Sequence, residues 1–185
     1  MSIMHCSLLS LGCAFGFAST SDKTSLSALR AFKIAQRRLR PEVRAKLLSV
    51  SSSRTDGSLA PEAWRFVFLD LATSGNCRVV TVAAKTSSEH PDTVEAFSSA
   101  KTEGESSNHA IAQNKWMLDS DQALAVARGT SKLKGVRSAE YRLVQPRNGH
   151  EPLWTLYFYA EAPEAVARFQ ITAKTGAVKI LANGE

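Results

Sequence analysis

Only three cysteines occur in the 185 residues, at positions 6, 13 and 77. So few rule out a fold stapled by several disulfides. Beyond the N-terminus no apolar run reaches the ~18 residues of a membrane-spanning helix, which excludes a multispan membrane protein. Gly-x-Gly-x-x-Gly, the phosphate-binding P-loop, Gly-x-Ser-x-Gly, His-x-x-x-His and Cys-x-x-Cys are all missing. No local signature therefore supports a nucleotide enzyme, a serine hydrolase or a zinc site. What remains is ordinary globular composition with a net charge of +6.

Residues 1–18 contain no Asp, Glu, Lys or Arg, and their middle is apolar. That is the pattern of a secretory signal, with Gly16 and Ala18 as the small residues before a cleavage site and Ser19 as the first mature residue. The n-region has only His5 and the α-amino group as basic groups, so an apolar N-terminal element packed on the domain stays open as the second reading. Leu11-Gly12-Cys13 also resembles the end of a lipoprotein signal, in which Cys13 would carry lipid. Removing the leader would leave Cys77 alone, in a strand-like run where a buried, inert thiol is expected. The expected location is periplasmic or extracellular.

Past the leader the pattern comes twice. In residues 25–39, Ala28, Leu29, Phe32, Ala35 and Leu39 share one arc, which predicts an amphipathic helix ended by Pro41. Strand-like segments follow at residues 46–51, 64–71 and 78–84, separated by Asp56-Gly57 and Ser74-Gly75-Asn76 turn chemistry. In the second half Asp119-Ser-Asp-Gln122 reads as a capping box opening a helix toward Leu133, with Gly135 placed to stop it. Strand-like segments follow at residues 139–144, 154–159, 167–173 and 177–181. Trp64 and Trp154 each open a central strand just after a proline, and Val82-Ala-Ala-Lys-Thr86 matches Ile171-Thr-Ala-Lys-Thr175. The pattern predicts an α+β fold of two similar units, each one helix packed on a three- or four-stranded antiparallel sheet.

The expected layout is a signal at 1–18, a first unit at 19–86, a polar linker at 87–117 and a second unit at 118–185. The linker is rich in Ser and in Glu89, Asp92, Glu95, Glu103 and Glu105, with a short helix expected around residues 93–98.

Trp154-Thr-Leu-Tyr-Phe-Tyr, a short loop and Ala167-Arg-Phe-Gln-Ile-Thr-Ala-Lys-Thr-Gly176-Ala-Val resemble the closing hairpin of PepSY-like domains. Ala173-Lys-Thr-Gly-Ala-Val178 fits the family's turn, with Ala173 where many members have Asp, and Ala123-Leu-Ala-Val-Ala fits its helix opening. The resemblance covers residues 118–182 well and 24–86 more weakly, since Ser87 follows Thr86 where glycine is the family's choice. It implies a secreted, non-catalytic binding or peptidase-inhibitory module, with no catalytic residues to carry over and no cofactor.

Direct inspection for chemistry gives little. Glu89-His90-Pro-Asp92 is the one cluster of metal-binding residue types, and a solvated loop is its ordinary reading. A nucleophilic Cys77 with His109 or His150 has no local signature behind it. No catalytic, cofactor-binding or metal-binding residue is therefore assigned, and the expectation is that the chain is not an enzyme.

Two surfaces stand out for partner binding. Arg30, Lys33, Arg37, Arg40 and Arg44 fall within about 80° of one another at 100° per residue. Such a stripe suits an anionic envelope surface or acidic protein, or else simply a solvated helix face. Thr155, Tyr157 and Tyr159 alternate away from Trp154 and Phe158, giving a polar-aromatic strand face for a protein partner such as a peptidase. Their first-half counterparts Val67 and Leu69 are apolar, which raises the prospect of the two sheets packing on each other. The rival reading is an envelope adaptor held by the basic helix or by lipid on Cys13. Secretion would exclude nucleic acid as a partner.

Overall fold

The computed structural model describes residues 26–73, 76–85, 93–100, 109–130, 133–149, 151–161 and 163–181. The expected leader with Cys6 and Cys13, and the Glu89-His90-Pro-Asp92 cluster, lie outside these residues.

The first helix, α1 (Ala28–Gln36), is followed by one turn of helix, α2 (Pro41–Arg44), and four strands: β1 (Leu47–Ser52), β2 (Ala63–Leu69), β3 (Cys77–Lys85) and β4 (Thr93–Ala100). A short 3-10 turn at Gln113–Lys115 leads to α3 (Ser120–Thr130) and four more strands, β5 (Ser138–Val144), β6 (Leu153–Tyr159), β7 (Ala165–Thr172) and β8 (Val178–Leu181). The fold is α+β, and its eight strands make one antiparallel sheet in the order β4-β3-β2-β1-β5-β6-β7-β8.

Several expectations change here. The strands do not divide between two separate sheets, because β1 pairs with β5, Val50 opposite Leu143. Without that pairing β1 and β5 would each present a row of unsatisfied backbone groups, and joining them removes both edges. For the same reason the two halves do not stack face to face. The helix expected at residues 93–98 is instead β4, paired with β3 along its whole length from Arg78 opposite Ala100 to Lys85 opposite Thr93.

Helix α1 also stops short of Leu39. After Gln36 the amides of Arg37, Arg38 and Leu39 each bond the carbonyl three residues back, a tightened last turn. Leu39 is buried by this turn, and Pro41 then starts α2 at a position where its missing N–H costs nothing. Positive φ at Gly57, Asn76 and Gly176 matches the turns expected there, whereas α3 ends at Thr130, well ahead of the stop expected at Gly135.

Alternation sends Trp64, Phe66 and Phe68 of β2, and Trp154, Leu156 and Phe158 of β6, to one face of the sheet. All six are fully buried. Phe32 of α1 packs on Phe66, Phe68 and Trp116, and Ala123 and Ala127 of α3 are buried in the same core. Trp64, Trp154, Tyr141 and Trp116 meet edge to face near the β1–β5 junction, with centroids 5.7–6.5 Å apart. Each central-strand indole also ties down a helix entry. Trp64 Nε1 donates to the Leu26 carbonyl at 2.6 Å, and Trp154 Nε1 to the Leu118 carbonyl at 2.9 Å. Both tryptophans are core anchors, as their strand positions require.

The described helices pack on one side of the sheet, and among the described residues no helix covers the other face. On its β1–β3 part Leu48, Val67, Cys77 and Val79 form a second, smaller apolar cluster, with Leu69 beside it. Cys77 is buried there.

Candidate partner-binding surface

The β5–β8 part of that second face is where sequence and structure bring polar and aromatic groups together. Across the strands, Ser51 of β1 lies opposite Arg142 of β5, Arg142 opposite Thr155 of β6, Thr155 opposite Gln170 of β7, and Gln170 opposite Lys179 of β8. The neighbouring row runs Glu140, Tyr157, Arg168, Leu181. Tyr159 faces Ser138 in the row beyond. Arg142 and Lys179 are exposed, while Tyr157, Tyr159, Arg168 and Gln170 are half-buried.

Side-chain contacts fix this array. The Arg54 guanidinium lies 4.1 Å from the centroid of the Tyr159 ring, its Nε donates to Ser138 Oγ at 3.0 Å, and it also reaches the Pro163 carbonyl. The Tyr159 hydroxyl donates to Glu140 Oε2 at 3.1 Å. Arg168 lies 5.2 Å from the Tyr157 ring centroid. Partial burial, and then the adjoining Glu140 carboxylate, push the Tyr159 hydroxyl up to about 12, so it stays a neutral donor across the physiological range. Guanidinium–ring contacts of this kind contribute about 0.5–1 kcal/mol each at exposed sites and restrict the side chains that make them.

Thr155 does not belong to the accessible surface. It is only 7% exposed, a short side chain between the long ones of Arg142 and Gln170. Tyr157 and Tyr159 do lie on the face expected of them.

The basic stripe is divided. Arg30, Lys33 and Arg37 project from α1 into solvent. Arg40 and Arg44 lie beyond the end of that helix and have partners within the chain. Arg40 bonds Asp70 at 3.0 Å and Glu42 at 3.2 Å, and Arg44 Nε donates to the Leu39 carbonyl at 2.7 Å. Asp70, only 2% exposed, also accepts from Arg78 Nε at 2.8 Å. The hydrogen bond from Arg78, assisted by the Ala72 amide and the Arg40 charge, holds the Asp70 carboxyl below the ordinary aspartate value against the opposing effect of burial. Sequence spacing could not show this, because the helix that would have aligned the five cations ends at Gln36.

Sequence reasoning also missed Arg54 and Arg168, the cations that hold the two tyrosines. Arg168 alternates with Phe169 and Ile171 on the outward side of its strand, a signal that was legible. Arg54 lies in a loop after β1 and gave no such signal.

Among the described residues no group of three or more His, Cys, Asp or Glu could hold a metal ion, and no helix is long and apolar enough to cross a membrane. No protein-family model, curated protein or solved structure matches the chain at a significant level.

Proposed function

We propose that the chain is a secreted, non-enzymatic binding module of PepSY-like type, and that its partner protein docks on the open sheet face around Tyr157, Tyr159 and Arg142. The observation that carries the reading is the arrangement of that face. The described helices cover one side of the sheet, and the other side presents tyrosines and arginines already fixed to one another. A pre-ordered surface rich in Tyr and Arg loses little side-chain freedom on binding, and these residue types dominate interface energetics. The reading includes two similar units joined edge to edge. Its support is the sheet order, symmetric about the β1–β5 junction, and the matching bonds from Trp64 to Leu26 and from Trp154 to Leu118. A peptidase of the same compartment is the first partner to test.

Photo-crosslinking tests the docking face. A photoreactive phenylalanine derivative at Tyr157 is expected to trap a discrete protein in the native host, while the same group at Lys33 traps none. Equal products from both positions, or from Lys33 alone, would reject the sheet face.

A second reading, an envelope adaptor, draws on the exposed Arg30, Lys33 and Arg37. Retention on anionic vesicles that disappears in Arg30→Glu/Lys33→Glu/Arg37→Glu would favour it. Retention unaffected by those changes would count against it.

A further inference from the structure

We infer that the chain pairs with a second copy of itself through β4, the two edge strands running antiparallel about a two-fold axis and continuing the sheet from one copy into the other. The contact is separate from the docking face, which lies on β5 to β8 at the other end of the sheet. β4 ends the strand order, and among the described residues no strand but β3 pairs with it. It follows β3 for eight consecutive residues, Thr93 to Ala100, with no shift of register, whereas the β1–β2 and β6–β7 pairs each contain one. In an antiparallel ladder every second residue turns both its N–H and its C=O outward, so β4 offers an unbroken row of donors and acceptors. Edge strands are ordinarily kept apart by short length, lysine, proline or a bulge. β8 has two of these devices, being four residues long and carrying the exposed Lys179. β4 has none: Thr93-Val-Glu-Ala-Phe-Ser-Ser-Ala contains no Lys, Arg or Pro, and its one charge is Glu95.

This asymmetry decides between the possible pairings. β4 on the β8 of another copy would be head-to-tail, would leave half of β4 unpaired, and would propagate without closing. β4 on β4 uses nearly the whole strand and closes as a dimer. Charge then selects the register. Facing residues of an antiparallel pair share one face of the sheet, so a single residue of the strand lies on the axis. With Glu95 there, two carboxylates would face each other, and with Ala96 there, each Glu95 would face the apolar Phe97. With Phe97 on the axis, Glu95 faces Ser99 of the partner subunit, Ala96 faces Ser98 of the partner subunit, and the two aromatic positions face each other, a favourable cross-strand pair. The two Glu95 positions then stand four residues apart, ~13 Å along the strand, past the ~8 Å screening length at physiological salt.

The test is sedimentation equilibrium on the full chain over a range of concentrations, with Ser99 as the reporter because it is exposed. A monomer–dimer equilibrium is expected. Ser99→Glu sets like charges opposite each other twice per dimer and is expected to raise the dissociation constant about fivefold, while Ser99→Lys is expected to lower it by a similar factor. Glu95→Lys/Ser99→Glu exchanges the two charges and should bring the constant back to the parent value. Net charge acts in the other direction, since Ser99→Glu lowers the +6 of each chain and Ser99→Lys raises it. General repulsion between copies would therefore give the opposite order. Each variant is checked for a native circular dichroism spectrum. On the unmodified chain, hydrogen–deuterium exchange is expected to slow within residues 93–100, and not in β8, as concentration rises. A monomer at every concentration, a dissociation constant indifferent to Ser99 or following net charge, or protection gained at β8 and not at β4 would overturn the inference.

Discussion

Single side chains give the sharpest tests of how the core is tied together. The Leu118 carbonyl accepts from two indoles, Trp154 at 2.9 Å and Trp116 at 3.1 Å, whereas among the described residues the Leu26 carbonyl has Trp64 as its one side-chain donor. Trp64→Phe therefore strands a buried acceptor, and Trp154→Phe does not. Leaving a buried carbonyl unpaired costs about 1–3 kcal/mol beyond the lost ring area. Urea unfolding followed by circular dichroism is expected to show Trp64→Phe the more destabilising by at least about 1 kcal/mol. Equal costs would mean the Leu26 bond contributes nothing net.

Asp70 links acid stability to the same scale of detail. Its carboxyl is held below the ordinary value of 3.8 in the folded chain, chiefly by the hydrogen bond from Arg78. A depressed folded value means stability that is present above pH ~4 and lost as pH falls through the folded value. Asp70→Asn should then be less stable than the parent at pH 7, and the gap should narrow steadily as the pH is lowered toward 3. Unfolding curves at several pH values read this directly, and a gap independent of pH would refute the assignment. Neither Asp70 with its two arginines nor Arg54 on Tyr159 could be read from spacing, because each pairing is made by strand ends and loops that only the folded chain brings together.

Among the elements, α1 and α3 begin beside each other. Asp119 Oδ1 accepts from the Leu29 amide of α1 at 2.9 Å and from its own neighbour Ser120 at 2.7 Å, while Ser120 Oγ accepts from the Ala28 amide at 3.0 Å. The Gln122 side chain bonds back to the Asp119 amide, the half of the capping box that the sequence announced. One carboxylate thus serves two helix starts, each with the partial positive charge of its free amides. Asp119→Ala is expected to cost about 2 kcal/mol or more, against about 1 kcal/mol for Ser27→Ala, which removes a single 3.4 Å cap. Thermal unfolding of the two variants distinguishes them, and equal losses would show that the second helix gains nothing from Asp119.

Strands with strong alternation were legible in the sequence to within a residue or two, β2 and β6 most clearly, because burial on one face imposes the pattern. β4 was not. Thr93-Val-Glu-Ala-Phe-Ser-Ser-Ala has little hydrophobic contrast, and an edge strand draws its backbone bonds from its long neighbour β3 and not from its own composition. The helix end at Gln36 escaped for a related reason: Leu39 continues the apolar arc, yet it is buried through a tight turn.

For the whole molecule the joined sheet matters most. Trp64 and Trp154 mark corresponding places in the sequence, but the pairing of β1 with β5 is a contact between distant segments that no local pattern encodes. That junction makes the strands one sheet, with the described helices on one side and Arg142, Tyr157, Arg168 and Lys179 side by side on the other. The docking proposal stands on this continuity. If β1 and β5 were free edges, Arg142 would lie at a border and strand addition there would be the more natural mode of binding. Hydrogen–deuterium exchange resolved by NMR tests the junction directly, through the amides of residues 49–51 and 142–144. A continuous sheet predicts that the inter-strand amides of these segments exchange as slowly as those at the centres of β2 and β6; exchange as fast as at the outer edge of β8 would contradict it.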